Sequence, residues 1–322
     1  MAKSVKLNFD KTKDADPVAI VSGGSYNKDV LYLHTKDGKT TGKKGVQELE
    51  MGHKLLSKLS PRKQSEVMRL LQEAYRRNIP AEHLNIDVPG AQEVYAEMLG
   101  EVEESGNSKV KLPPGSTFEL LPSADPEKRQ IYYIAGASGS GKSYIARHLS
   151  EQYQKMFPER TVYLVSKLKE DATLDGMKKP PARLSIEKLV ETPLKDLEPL
   201  RETLIIFDDY DTLEGKEGKA VQQLIDDICI MGRHTVTSLL ILSHHLSNFK
   251  KTRLCLTEAT HFVLYPQSTG AHALNYFLKT YVGMGPKEVQ TLKKSGSRWL
   301  CIHKNFPIFY ITETEAGLIN DE

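Results

Sequence analysis

Ile131-Tyr132-Tyr133-Ile134-Ala135-Gly136-Ala137-Ser138-Gly139-Ser140-Gly141-Lys142-Ser143 is the stretch on which the fold of this 322-residue chain turns. Its first five residues are apolar or aromatic without alternation, the pattern of a short strand buried on both faces. The next eight complete a GxxxxGK[ST] loop, which a chain of this length would show by accident about one time in a hundred. Ile145, Ala146 and Leu149 then recur at helical spacing. Strand, loop and helix follow one another as a phosphate-binding loop requires. Glycines let the backbone curl so that N–H groups point inward at phosphate oxygens, and the helix N-terminus adds partial positive charge. Gly136, Ala137, Ser138, Gly139, Ser140, Gly141, Lys142 and Ser143 are therefore the candidate nucleotide contacts. Lys142 is expected to reach the β- and γ-phosphates, and the Ser143 hydroxyl to ligate Mg²⁺. The plainer alternative is a Gly/Ser-rich connector with an incidental lysine.

Working outward, further short apolar runs alternate with helix-length segments: Val162 to Val165, Leu204 to Phe207, Ser238 to Leu242 and Phe262 to Tyr265. This predicts an α/β fold, a P-loop NTPase whose mostly parallel sheet is covered by helices on both faces. Arg298 to His303 and Ile308 to Thr312 read as a closing antiparallel pair. Upstream the pattern changes. Val18 to Val21 and Asp29 to His34 form a hairpin about Gly23-Gly24-Ser25, a lysine-rich connector covers 36–44, and Ser60-Pro61 opens a helix carrying Val67, Leu70, Leu71 and Ala74. A second helix is expected over Ala91 to Glu104. The polar, breaker-rich residues 105–116 read as a linker, dividing an α+β arm, 1–104, from a motor domain, 117–322.

Thr203 to Phe207 runs straight into Asp208-Asp209, with Asp211 close behind. Carboxylates at the carboxyl end of a buried strand sit in the crevice where open α/β sheets bind ligands. Asp208 is the candidate Mg²⁺-side acid and Asp209 the residue that polarises attacking water. The next strand ends in Ser243-His244-His245, where His244 or Ser243 could orient that water or sense the γ-phosphate. Zinc binding by His244 and His245 is disfavoured, because adjacent strand residues point to opposite faces. His234, His261, His272 and His303 show no ligand spacing. Arg233 and Arg253 are each placed where an arginine could reach a neighbouring subunit's nucleotide, and solvated arginines explain both almost as well.

Composition sets the bounds. Hydrophobic residues make up 39% and charged residues 27%, as in an ordinary globular chain. No apolar run is long enough to span a bilayer and no secretory signal is visible, so a cytosol-like location is expected. Three widely spaced cysteines, Cys229, Cys255 and Cys301, argue for reduced, buried thiols. Lys plus Arg total 44 against 42 acidic residues, so a polyanion must be met by local patches.

Three segments together resemble the genome-packaging ATPases of large double-stranded DNA viruses, the poxvirus type within the FtsK/HerA superfamily of P-loop motors. They are Gly136 to Ser143, Leu204 to Asp209, and Gly232-Arg233-His234 through Leu239 to His244; the closing strands from Ser297-Arg298-Trp299 to Ile311 are similar to the way such domains end. The chain departs from the family in Ser243-His244, where an amide is usual, and in Asp209, where Glu is common. The resemblance implies ATP and Mg²⁺ as cofactors and a homo-oligomeric ring, of six subunits, that moves duplex DNA. It also implies a capsid or portal-vertex partner and a place in host cytoplasm, viral factory or virion. Lys167, Lys169, Lys178, Lys179, Arg183, Lys216 and Lys219 lie in loops that could meet DNA phosphates. Two other classes share the phosphate loop: a kinase acting on a small molecule or polynucleotide, which no arginine-rich lid supports, and a nucleotide-dependent assembly scaffold.

Overall fold

The computed structural model describes residues 5–13, 15–35, 60–77, 79–92, 94–96, 98–99, 109–294 and 296–319. In chain order come β1 (Lys6–Asn8), β2 (Ala15–Ser22), β3 (Val30–His34), α1 (Pro61–Arg76), β4 (Lys109–Lys111), β5 (Thr117–Leu120) and β6 (Ile131–Ala135). Then follow α2 (Lys142–Met156), β7 (Val162–Ser166), β8 (Ala182–Arg183), α3 (Ile186–Glu191), β9 (Leu204–Asp208), α4 (Gly215–Met231) and β10 (Ser238–Ser243). The chain closes with α5 (Phe249–Glu258), β11 (His261–Leu264), α6 (Ala271–Phe277), α7 (Pro286–Lys294), β12 (Leu300–His303), β13 (Phe309–Thr312) and β14 (Glu315–Leu318).

A ten-stranded sheet in the order β4-β14-β13-β12-β11-β6-β10-β9-β7-β8 organises the molecule. From β11 to β8 every neighbouring pair is parallel; from β4 to β11 every pair is antiparallel. The central strands are apolar between their ends because successive side chains serve opposite cores. Tyr133, Ile205, Phe207, Leu239 and Ile241 face a cluster completed by α4 to α7. Tyr132, Ile134, Ile206, Leu240 and Leu242 face a second cluster that includes Ile145, Ala146, Leu149 and Tyr153 of α2. Both faces are thereby closed to water, which is why no alternation is visible in the sequence.

The second cluster also takes in Leu7, Ala19, Leu31 and Phe118 from a four-stranded sheet, β1-β3-β2-β5. The hairpin of the expected arm thus shares its core with the phosphate-loop region. The segment read as a linker carries β4, which pairs with β14 at the edge of the large sheet, while 105–108 lie outside the described residues. The expected closing pair is joined by a further strand, β14, that short Gly-containing sequence did not announce. Ser60 precedes α1 without a side-chain capping bond; its carbonyl accepts Gln64 N–H at 2.9 Å. Helical residues recur between 91 and 99, and Val94, Tyr95 and Met98 pack with Val67 and Leu71 of α1. The connector 36–44 and residues 101–104 lie outside the described residues. The three cysteines are free and buried. Among the described residues no helix is long and apolar enough to cross a membrane.

Candidate active site

Four strand ends meet in register. Ala135 lies opposite Ser243, Phe207 opposite Ile241 and Asp208 opposite Ser166. Since these strands are parallel, the loops that follow them crowd one edge of the sheet. After β6 the chain enters α2 on one face, whereas after β9 and β10 it enters α4 and α5 on the other. The divergence places a topological switch point between β6 and β10, the position at which open α/β sheets take ligands.

Gly139 and Gly141 adopt φ of 72° and 113°, left-handed conformations that disfavour any side chain. At Gly136 a Cβ would meet the Tyr265 ring at 2.6 Å and Ser140 Oγ at 2.7 Å. The Gly136 N–H donates to the Ser243 carbonyl at 3.1 Å, fastening the loop to β10. Lys142 is buried, and its Nζ donates to the carbonyls of Gly136 at 2.9 Å and Ala137 at 3.3 Å. Desolvation lowers its pKa, against the opposing pull of Asp209, Asp208 and Asp211. Ser140 Oγ is buried with no hydrogen-bond partner among the described residues. A curled glycine backbone, a buried ammonium and an orphaned hydroxyl at a helix N-terminus fit a bound phosphate.

Asp208 is buried at the end of β9 and accepts a hydrogen bond from Ser166 Oγ at 3.3 Å. Burial first, then the charges of Asp209 and Asp171, push its pKa from 3.8 to about 6. A carboxylate so short of positive charge suits a cation, and Ser143 stands on the first turn of α2 beside the same loop. Asp209 takes φ 48°, unusual for a non-glycine residue, as the chain turns sharply out of the strand. Its Oδ1 lies 2.8 Å from His244 Nε2. Nδ1 of the same ring lies 3.5 Å from Lys142 Nζ. With the proton on Nε2, the ring donates to Asp209 and faces the lysine with its other nitrogen. Asp211 holds this arrangement in place: its Oδ2 accepts Ser243 Oγ at 2.8 Å and His244 N–H at 2.9 Å. Lys251 Nζ donates to the Asp211 carbonyl at 2.8 Å.

The structure therefore brings together Gly136 to Ser143, Asp208, Asp209 and His244, with Ser243 serving Asp211. Arg233 is elsewhere. It precedes β10, at the amino ends of the parallel strands, where its charge acts on Arg129 and not on the loop of its own chain. Arg253 is exposed on α5. Of the basic residues singled out, Arg183 is engaged by both oxygens of Asp175 at 2.9 and 2.8 Å, and Lys179 donates to Pro158 O at 3.1 Å. Lys167, Lys169, Lys178, Lys216 and Lys219 are exposed. His261 and His303 pack edge to face, with the His261 ring stacked on Tyr132, whereas His234 and His272 are exposed. Among the described residues no group of three or more His, Cys, Asp or Glu is placed to hold a metal ion. Sequence reasoning passed over the partners of the site: Ser166, Lys251, Tyr265 and Arg298. No local pattern marks Arg298, which reaches Ser140 O at 3.3 Å across 158 residues of chain. Asp211 carried a signal, its place two residues after the tandem acids.

Protein V3 of Sputnik virophage, an uncharacterized protein, is 33% identical over 224 residues, which are 68% of this chain and 87% of V3. No protein-family model matches. Among solved structures, the DNA-packaging ATPase B204 of Sulfolobus turreted icosahedral virus is 16% identical with a TM-score of 0.40, covering 59% of this chain and 98% of B204. The cytoplasmic domain of the type VII secretion ATPase EccC from Thermomonospora curvata is also 16% identical with a TM-score of 0.40, covering 60% of this chain and 26% of that one. Likenesses of this depth bear on neither chemistry nor partners.

Proposed function

This chain belongs to the family of the Sputnik virophage protein V3, and from the geometry of its phosphate loop we propose that it is a P-loop ATPase, a DNA-translocating motor of the FtsK/HerA genome-packaging type. The observation that carries the reading is the continuous contact from Lys142 through His244 to Asp209, at the carboxyl ends of three adjacent strands.

Each residue has a distinct task. The loop from Gly136 to Ser143 would cradle the phosphates of ATP, and Lys142, held by two neutral carbonyls and facing the His244 ring nitrogen, would turn to the incoming negative charge. Ser143 and Asp208 would hold Mg²⁺, which supplies charge neutralisation on the phosphates. Asp209 would orient and polarise the attacking water, and the Nε2–H bond from His244 would keep its carboxylate in one orientation. Such preorganised charge is the main resource of phosphoryl transfer, in which the protein itself forms few bonds.

Arg233 faces away from its own loop, so any role at a transferred phosphate would be played in trans. That accords with a homo-oligomeric ring, of six subunits, working on double-stranded DNA, with a capsid or portal-vertex partner. Exposed Lys167, Lys169, Lys178, Lys216 and Lys219 would grip the DNA backbone. Steady-state ATPase activity with and without duplex DNA tests the proposal. Stimulation by DNA is the expected result. Phosphate appearing on an acceptor would show a kinase, and nucleotide binding without turnover would show a scaffold. Lys142→Ala should abolish productive nucleotide binding; normal turnover in that variant would remove the assignment of the loop.

A further inference from the structure

Two flanks of the phosphate loop differ in chemistry. The acids and His244 stand at the ends of β9 and β10, on one side of β6; β11 and β12 lie on its other side. From that second flank, just ahead of β12, Arg298 reaches over the loop. Its Nε donates to Ser140 O at 3.3 Å, and its Nη2 lies 3.4 Å from where a Cβ on Gly141 would stand. This is the one hydrogen bond its guanidinium makes to the described residues, so both Nη groups keep their donors on an exposed side chain. The backbone beneath is fixed. Arg298 N–H donates to Glu313 Oε2 at 2.7 Å, and Ser297 Oγ bonds the same oxygen at 3.2 Å and Trp299 O at 2.7 Å. Beside it, Tyr265 packs against Gly136 and Gly141, its buried hydroxyl without a hydrogen-bond partner among the described residues.

A nucleoside triphosphate is a linear molecule. With its terminal phosphate at Lys142, His244 and Asp209, the remaining phosphates and the nucleoside must run along the loop away from those groups. We infer that Arg298 binds the non-transferred end of the nucleotide, donating from its Nη groups to the α-phosphate. The inference rests on the loop being a nucleotide site. It makes Arg298 a binding residue acting in cis, serving ATP and ADP alike and leaving the transferred phosphate to Lys142.

Calorimetric titration of the full chain with ATP and with ADP, beside steady-state kcat and KM, tests this. Arg298→Ala should weaken both nucleotides roughly 10- to 100-fold, the range for a charge-assisted hydrogen bond. KM for ATP should rise, with kcat within about two-fold of the parent. Arg298→Lys, which keeps the charge, should recover part of the affinity and serves as the test should the alanine variant fail to fold. Unchanged affinity for both nucleotides would overturn the inference. So would a fall in kcat with ADP affinity kept, which would place the guanidinium on the transferred group. Lys142→Ala separates the two levels. If it no longer binds nucleotide while Arg298→Ala binds like the parent, only the Arg298 assignment is wrong; if Lys142→Ala also binds like the parent, the nucleotide site itself is wrong.

Discussion

Asp208→Asn should stabilise this protein and disable it at once. The folded chain holds the carboxyl pKa near 6 where 3.8 is its ordinary value, chiefly through burial. Between those values the folded state keeps a proton that the unfolded state has released. The parent therefore loses stability as pH rises through this window, by about 1.4 kcal/mol per unit, until the loss is complete above the folded pKa. An asparagine of nearly the same shape has no proton to lose. Its advantage should be about 1 kcal/mol at pH 4.5 and about 3 kcal/mol at pH 8, a difference of about 2 kcal/mol. Urea unfolding of parent and variant at the two pH values, without nucleotide or divalent cation, measures it. The same variant lacks the carboxylate proposed to hold Mg²⁺, and its ATPase activity should fall at least about 100-fold. A stability difference that is the same at both pH values would refute the argument that burial of an unpaired charge governs this position.

Asp209→Asn should leave ATP bound but slow hydrolysis by about 100- to 1,000-fold, measured as single-turnover phosphate release; parental turnover would show that Asp209 does not activate water. Asp211→Ala removes the acceptor of both Ser243 Oγ and the His244 N–H. It should cost about 1–3 kcal/mol in urea unfolding and lower kcat more than it changes ATP affinity. Binding of duplex DNA should weaken steeply between low and physiological salt with little dependence on sequence, and replacing Lys216 and Lys219 by alanine should reduce the slope of log affinity against log salt by about 2. A slope unmoved by that double substitution would take those lysines off the DNA surface.

The architecture about the phosphate loop was legible because its signals are local. The five residues before Gly136 can be buried on both faces only as an inner strand, and Gly139 and Gly141 mark positive φ where the loop curls. Asp208 and Asp209 could be nominated from chain position alone, since a strand's carboxyl end sits at the ligand edge of such a sheet. The N-terminal hairpin was legible as a hairpin. Its docking was not, because nothing in the alternation of β2 and β3 says which apolar surface will cover their inner face.

Sequence by itself thus determined the loop, the acids and the parallel strands, each a matter of residues within a few positions of one another. Only the tertiary structure decided which side chains address that loop. His244 meets Asp209 through the pairing of β9 with β10, and Arg298 meets Ser140 because β12 lies two strands from β6. It also set Arg233 at the opposite edge, although that residue precedes β10 by only a short turn. The reason is geometric. A strand carries its two ends to opposite edges of the sheet, so nearness along the chain and nearness to the site are different quantities.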